Sequence, residues 1–287
     1  MNTYQNPVWE GADPFVLLYG DTYYFYVSDD EGYRVLTSDD LVNWTDRGLC
    51  LNRADVQGDR WFWAPEVTEH DGKFYMVYTA EEHVAIAVAD SPLGPFKQVQ
   101  PRWLSERNAI DGSFFKDDDG QVYLYYVRFD GGNVIYGAKL SVDLLTLDEE
   151  HEQRLIAAQA DWETRDCLVA EGPFMLKHNG KYYLTYSANH FRTPDYAIGC
   201  AVADSPLGPF AKYDGNPILK KNERVVGTGH HCFTTSKDGK RLICVYHCHN
   251  STTAIHPRMT CIDAAEFTAD GTLVIHGPTV GEQPSIT

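Results

Sequence analysis

Short runs of apolar and aromatic residues, each entered through a glycine turn, recur along the chain. They read Gly20-Asp-Thr-Tyr-Tyr-Phe-Tyr, Gly72-Lys-Phe-Tyr-Met-Val-Tyr, Gly120-Gln-Val-Tyr-Leu-Tyr-Tyr, Gly180-Lys-Tyr-Tyr-Leu-Thr-Tyr and Gly239-Lys-Arg-Leu-Ile-Cys-Val-Tyr. A glycine turn leading into β-branched and aromatic residues marks the second strand of a β-hairpin. The turn glycines stand about 48 to 60 residues apart, close to the length of a four-stranded propeller blade. Five such units use up the chain. A second repeat, Ala-Asp-Ser-Pro-Leu-Gly-Pro-Phe, ends at Phe96 and again at Phe210, about two blades apart, and its Pro and Gly mark turns around outer strands. Long helical periodicity is nearly absent, and no linker composition interrupts the pattern. The predicted fold is therefore all-β, a five-bladed β-propeller in a single domain over 1–287, with a β-sandwich of similar hairpins as the alternative.

Composition narrows the function classes. Of 287 residues, Lys and Arg supply 24 and Asp and Glu 41, a formal charge of −17, and a surface of that sign repels phosphate backbones and anionic headgroups. Nucleic acid and membrane are thus excluded as expected partners. The chain opens without a basic segment followed by an apolar one, and no stretch reaches 18 apolar residues, so a cytoplasmic location is expected. Seven scattered cysteines without a Cys-x-x-Cys pair fit free thiols in a reducing compartment.

The candidate chemistry lies just upstream of the turns. Asp13 precedes its glycine by seven residues, while Trp63, Asp111, Glu171 and His230 each precede theirs by nine. That register places all five on the first, innermost strand of each blade, aimed at one central channel. The acids sit in Gly11-Ala-Asp13-Pro-Phe, Ile110-Asp111-Gly-Ser-Phe-Phe and Ala170-Glu171-Gly-Pro-Phe, apolar contexts that do not suit a solvated surface charge. Three converging carboxyls cannot all titrate normally, so one can stay protonated as an acid while another acts as a base. Paired carboxyls of this kind perform glycoside hydrolysis. Trp63, in Trp61-Phe-Trp-Ala-Pro-Glu66, reads either as core packing or as a sugar-stacking platform; Glu66 reads as a loop salt-bridge partner in preference to a fourth channel acid.

Six motifs in this order and spacing carry a family resemblance: Ala-Asp-Pro-Phe at 12–15, Trp-Ala-Pro-Glu at 63–66, Ile-Asp-Gly-Ser-Phe-Phe at 110–115, Glu-Gly-Pro-Phe at 171–174, Gly-Thr-Gly-His-His at 227–231 and the Pro257-Arg258 step. The chain resembles glycoside hydrolase family 43, five-bladed β-propeller enzymes acting on arabinose- and xylose-containing polysaccharides. The resemblance implies Asp13 as general base, Glu171 as general acid and Asp111 as the carboxylate that orients the acid and raises its pKa. The implied chemistry is hydrolysis with inversion, for which the carboxyls of base and acid stand about 6.5–9.5 Å apart to admit a water. Arg258 then matches an arginine that reaches the bound sugar, and His230 one that faces a divalent cation, commonly calcium, in the channel. One imidazole is a poor cage for an ion that takes six to eight oxygens.

Zinc is not expected at Cys232, Cys244, His247, Cys248 and His249, because alternation on a strand puts Cys244 and Cys248 on one face and His247 and His249 on the other. His247 is assigned to the channel wall as a substrate contact, and His231 should point away from His230. The family's β-xylosidases often carry a C-terminal β-sandwich, which is not expected here, as the sequence stops at Thr287. The expected activity is removal of terminal α-L-arabinofuranosyl residues, with β-D-xylosyl as a second sugar, from plant-cell-wall oligosaccharides. Endo-1,5-α-L-arabinanase action and a non-catalytic carbohydrate-binding propeller are the alternatives. Loops 102–108 and 189–196 are expected to form the rim.

Overall fold

The structure is a computed structural model describing residues 3–286. Its helical content is two three-residue 3-10 turns, Arg53–Asp55 and Glu149–His151; everything else that is regular is strand. No helix among the described residues is long and apolar enough to cross a membrane.

The strands form five antiparallel blades of a β-propeller. Blade 1 comprises Phe15–Tyr19, Thr22–Asp29, Gly32–Ser38 and Thr45–Asn52; blade 3 comprises Ile110–Lys116, Val122–Phe129, Asn133–Lys139 and Gln153–Ala157. Blade 4 comprises Ala170–His178, Lys181–Ala188, Ala197–Ala203 and Ala211–Lys212. Blade 2 departs from the four-strand expectation with three, Trp63–His70, Lys73–Ala80 and His83–Ala89, its outer edge covered by a single bridge between Val88 and Lys97. Blade 5 is built from Gly229–Thr235, Leu242–Cys248 and Met259–Phe267, and its next strand is Trp9–Glu10 from the N-terminal end, paired through Trp9 to Thr260. That exchange closes the ring, joining the beginning of the chain to its last blade.

Each hairpin turn carries its glycine in the left-handed region, at φ 59°, 77°, 86°, 76° and 69° for Gly20, Gly72, Gly120, Gly180 and Gly239. A Cβ is disfavoured there, which is why glycine recurs at this one position. The runs after the turns are the second strands, and alternation sends their side chains to both faces of a blade. Apolar residues pack between neighbouring blades: Val77, Phe114, Leu124 and Tyr126 join blades 2 and 3, while Ile110, Tyr125, Leu184 and Tyr186 join blades 3 and 4. Cys244, Tyr246 and Ile198 fill the seam between blades 4 and 5. All seven cysteines are free.

The first strands of the five blades come together near their N-terminal ends, where Asp13, Ala64, Asp111, Gly172 and His230 line one channel. The channel acids sit at those ends.

Candidate active site

The inner strands share a local irregularity that builds the site. Register shifts interrupt pairing between Trp63 and Glu66, Ile110 and Ser113, Glu171 and Phe174, and Gly229 and His231. At each one the backbone enters the left-handed region, at Ala64 (φ 43°), Asp111 (57°), Gly172 (53°) and His230 (44°), and blade 1 repeats it at Asp13 (49°). Positive φ costs a non-glycine residue of order 1–3 kcal/mol and persists where the surroundings enforce it, most often at functional sites. Here it turns one residue of each blade toward the channel.

Two sequence expectations shift by one residue. The slot assigned to Trp63 belongs to Ala64, and in blade 4 it belongs to Gly172. Trp63 and Glu171 are each other's counterparts one step nearer the mouth, where Trp63 pairs Thr79 and Glu171 pairs Ser187. Trp63 therefore stands at the entrance, 36% exposed and stacked on Trp61 at 6.0 Å, instead of in the channel. Counting back from a glycine cannot detect a bulge that adds a residue.

Asp13, Asp111 and Glu171 do converge. Arg258 grips Asp13 with two N–H donors, at 2.7 Å to Oδ1 and 3.2 Å to Oδ2, and its guanidinium lies 4.5 Å from the centre of the Phe191 ring. His230 Nδ1 is 3.4 Å from Asp13 Oδ1 and 3.9 Å from Asp111 Oδ2. Burial alone would raise the Asp13 pKa, but Arg258, His230 and His247 outweigh it and hold the carboxyl well below the usual range. Asp111 accepts the Gly172 N–H at 3.0 Å and the Asp111 N–H bonds Thr79; burial, with the Asp13 charge added, pushes its carboxyl up. Because Gly172 adjoins Glu171, that bond fixes the backbone that carries the acid.

Glu171 accepts Tyr196 Oη–H at 2.9 Å on one oxygen and Asn133 Nδ2–H at 2.9 Å on the other. Burial and the neighbouring Asp111 charge push it up to about 7, against the pull of His230 and these two donors. Asn133 and Tyr196 were not foreseen. Asn133 follows the Gly131-Gly132 turn at a hairpin tip facing the acids, a weak signal, and nothing in the sequence marks Tyr196.

His247 lies elsewhere than expected. It is fully buried, accepts the Asp13 N–H on Nδ1 at 3.3 Å, and stacks between Tyr196 and His230; burial first, then Arg258, pushes it down to about 3. It props the base from beneath and offers no face to a sugar. His249 is turned away, bonding the Phe191 carbonyl at 2.7 Å, and His231 bonds Thr185 on the opposite side from His230, as alternation required. Cys244 and Cys248 pack into the apolar seam between blades 4 and 5, whereas His247 faces Asp13.

Glu66 corrects its expectation. It forms no ion pair among the described residues; it lines the channel, buried, and accepts the Phe114 N–H at 2.6 Å. Burial, opposed by that bond, pushes its carboxyl up to about 8.

Beside the acids the channel narrows to a void of about 20 Å³ whose polar lining includes Asp13, Asp111, Glu66, Ser113 and His230, room for roughly one water. Calcium takes six to eight oxygens, but Arg258 already holds both oxygens of Asp13, Glu66 accepts the Phe114 N–H, and His230 supplies a single imidazole. Among the described residues no three His, Cys, Asp or Glu side chains gather to hold an ion, and the residues present do not form a calcium site.

Above the acids the rim is uneven. Blades 1, 2 and 3 end in tight turns at 29–32, 80–83 and 129–133, whereas the connections 189–196 of blade 4 and 249–258 of blade 5 are long. The first of these carries Phe191 over Arg258. Loop 102–108 runs between blades 2 and 3: Asn108 meets Glu82 of the blade 2 turn, and Ser105 and the Arg107 and Asn108 carbonyls receive the buried Arg128.

Comparison with known proteins agrees with this geometry. The pattern of "Glycosyl hydrolases family 43" matches residues 4–273. The chain is 30% identical to a β-D-galactofuranosidase of Aspergillus niger, over 94% of this chain and 84% of that one. It is also 30% identical to an extracellular exo-α-(1→5)-L-arabinofuranosidase of Streptomyces chartreusis, over 85% and 82% respectively. A crystal structure described as an endo-1,4-β-xylanase of Bacteroides thetaiotaomicron superposes with a TM-score of 0.92 at 40% identity, covering 96% of this chain and 98% of that one. With the propeller, the three converging acids and these likenesses in agreement, the chain belongs to glycoside hydrolase family 43.

Proposed function

We propose that the protein is an inverting exo-glycosidase that removes terminal α-L-arabinofuranosyl residues, and also β-D-xylosyl residues, from oligosaccharides. The observation that carries the reading is the split between two carboxyls at one mouth: Asp13 held ionised by Arg258, and Glu171 raised to about 7 and so largely protonated in mildly acidic solution. Such a pair supplies a base and an acid at the same pH.

Asp13 takes a proton from a water as that water attacks the anomeric carbon, and Glu171 gives its proton to the departing glycosidic oxygen on the other side of the ring. The bond to the leaving sugar breaks as the bond to water forms, which inverts the anomeric centre. Asp111 acts on the acid through its charge and through the Gly172 N–H. Arg258 keeps the base ionised and turned to the water. The arabinofuranosyl preference is supported by the Streptomyces relative, named for that sugar, and by the Aspergillus relative, named for another furanoside; the xylosyl activity is supported by a relative from Xylanibacter ruminicola named β-xylosidase, 30% identical over 91% of this chain and 94% of that one. The long connections of blades 4 and 5 wall one side of the mouth, in keeping with attack on chain ends.

The test is hydrolysis of aryl α-L-arabinofuranoside, aryl β-D-xyloside and linear arabinan, with the product anomer followed by NMR from the first seconds. The reading expects aryl-glycoside turnover and a product of inverted configuration. Retained configuration, or cleavage of arabinan alone, contradicts it.

A further inference from the structure

Between blades 1 and 2, on the face that carries the acids, lies a groove that the mechanism does not use. The connection 53–62 rises there from the outer strand of blade 1 and ends beside Trp63. Phe62 anchors it, buried edge-on to Tyr33 at 5.6 Å and stacked on Tyr78 at 6.0 Å. Its neighbours Trp61 and Trp63 project the other way, 48% and 36% exposed, with rings 15° from parallel. The Arg60 guanidinium lies 4.4 Å from the centre of the Trp61 ring, on a side chain 64% exposed that can swing aside for a stacked sugar. Trp61 holds a φ of 58°, a genuine outlier for a bulky residue; the chain accepts backbone strain where it presents this indole to solvent. Asp30 and Asp59 line the same groove as the pair, a cavity of about 560 Å³.

Three features give the groove a direction. Trp63 is the blade 2 counterpart of Glu171, so the aromatic pair begins at the catalytic mouth and runs outward. The blade 1 turn that borders the groove is tight, while blades 4 and 5 raise long connections, so an extended substrate finds its low exit over blades 1 and 2. Exposed parallel indoles with free carboxylates beside them match a sugar, whose apolar ring face stacks while its hydroxyls donate to acids.

We propose that this groove is a carbohydrate subsite for the leaving chain, with Trp61 as its platform and Asp30 and Asp59 as hydroxyl acceptors. The proposal rests on the glycosidase reading: the terminal sugar sits over Asp13 and Glu171, and the sugars beyond the scissile bond lie along Trp61. The cavity is of the size that holds small-molecule ligands, about 300–1,000 Å³. The enzyme then prefers oligosaccharides of three or more units to disaccharides.

The experiment compares wild type, Trp61→Ala, Trp61→Phe and Asp30→Ala on aryl α-L-arabinofuranoside and on linear α-1,5-arabino-oligosaccharides and β-1,4-xylo-oligosaccharides of two to five units. Loss of one stacking contact should lower kcat/KM for Trp61→Ala by about fivefold to tenfold on chains of three units and longer. The aryl glycoside should stay within about twofold, and Trp61→Phe should recover most of the loss. An equal fall on all substrates, or no fall on long chains, overturns the proposal. If wild type cleaves none of them, tryptophan fluorescence separates the two ideas: saturable quenching by the oligosaccharides that Trp61→Ala abolishes keeps the subsite while the hydrolase reading falls, and unchanged fluorescence removes the subsite as well. A dimer in sedimentation that Trp61→Ala dissolves would make the groove a contact between copies and overturn the proposal.

Discussion

Replacing Arg258 by Ala removes both donors from Asp13, at 2.7 and 3.2 Å. What remains near the carboxylate is His230 at 3.4 Å and His247 at 3.2 Å, the second kept neutral by burial. An adjacent guanidinium lowers a carboxyl pKa by about one to three pH units, and each unit is worth about 1.4 kcal/mol. The substitution therefore withdraws roughly 1.4–4 kcal/mol from the ionised base, and burial, then opposed only by His230 and His247, carries Asp13 up toward the usual carboxylate range. The base must be ionised to act, so the acidic limb of kcat/KM against pH should move up by about one to three pH units. The alkaline limb, which follows Glu171 at about 7, should move little, and the active window narrows from below. Stability follows the same sign: a depressed carboxyl pKa stabilises the fold above the unfolded value and loses that contribution as pH falls through the folded one. The variant should thus lose more melting temperature at pH 6 than at pH 3. Arg258→Lys, which keeps a charge but not the fork, should fall between. The assay is kcat/KM on an aryl glycoside from pH 3 to 9, with circular dichroism to confirm folding; a folded Arg258→Ala enzyme whose acidic limb coincides with wild type refutes the reasoning.

Other perturbations separate the remaining parts. Asp111→Asn removes a like charge and should lower the alkaline limb, whereas Asn133→Ala removes a donor from the ionised acid and should raise it; movement of both limbs in one direction would contradict the assignment. Glu66, raised from 4.5 to about 8 by burial, keeps a proton that the unfolded chain loses, so stability declines as pH rises through that interval by up to about 1.4 kcal/mol per pH unit. Glu66→Gln should accordingly gain more melting temperature over wild type at pH 8 than at pH 5, and equal gains would show that the burial argument fails. Dialysis against a chelator should leave kcat and melting temperature unchanged, since the channel holds no cage; a loss of either restored by calcium would show that the channel opens to admit the ion.

Much of this architecture is legible before folding because its units are local. A left-handed glycine followed by alternating aromatic residues is decided within seven positions, and it located the second strand of every blade. The acids were readable because Asp13, Asp111 and Glu171 keep nearly the same distance from those turns. What escaped depends on contacts far apart in sequence or on single inserted residues. The pairing of Trp9 with Thr260 joins two residues from opposite ends of the chain, with nothing nearby to announce it. The bulges moved Trp63 out of the channel and left Ala64 in it. Glu66 could have been found from parity: it lies two residues past the left-handed position, as do Phe15, Ser113 and Cys232, which also line the channel. His247 was assigned to the channel wall, but the strand's crowding against Asp13 and Tyr196 closed off that face.

The division of labour between Asp13 and Glu171 is tested most directly by leaving-group dependence. Asp13→Asn and Glu171→Gln are compared with wild type on aryl glycosides whose phenols range from strongly activated to unactivated. Removing either group should cost about a hundredfold or more on the poor leaving groups. On the dinitrophenyl glycoside, which departs without a proton, Glu171→Gln should recover much of its rate while Asp13→Asn stays inactive. Recovery of Asp13→Asn instead, or near-normal turnover by either variant on the poor leaving groups, would contradict the roles assigned to these two residues.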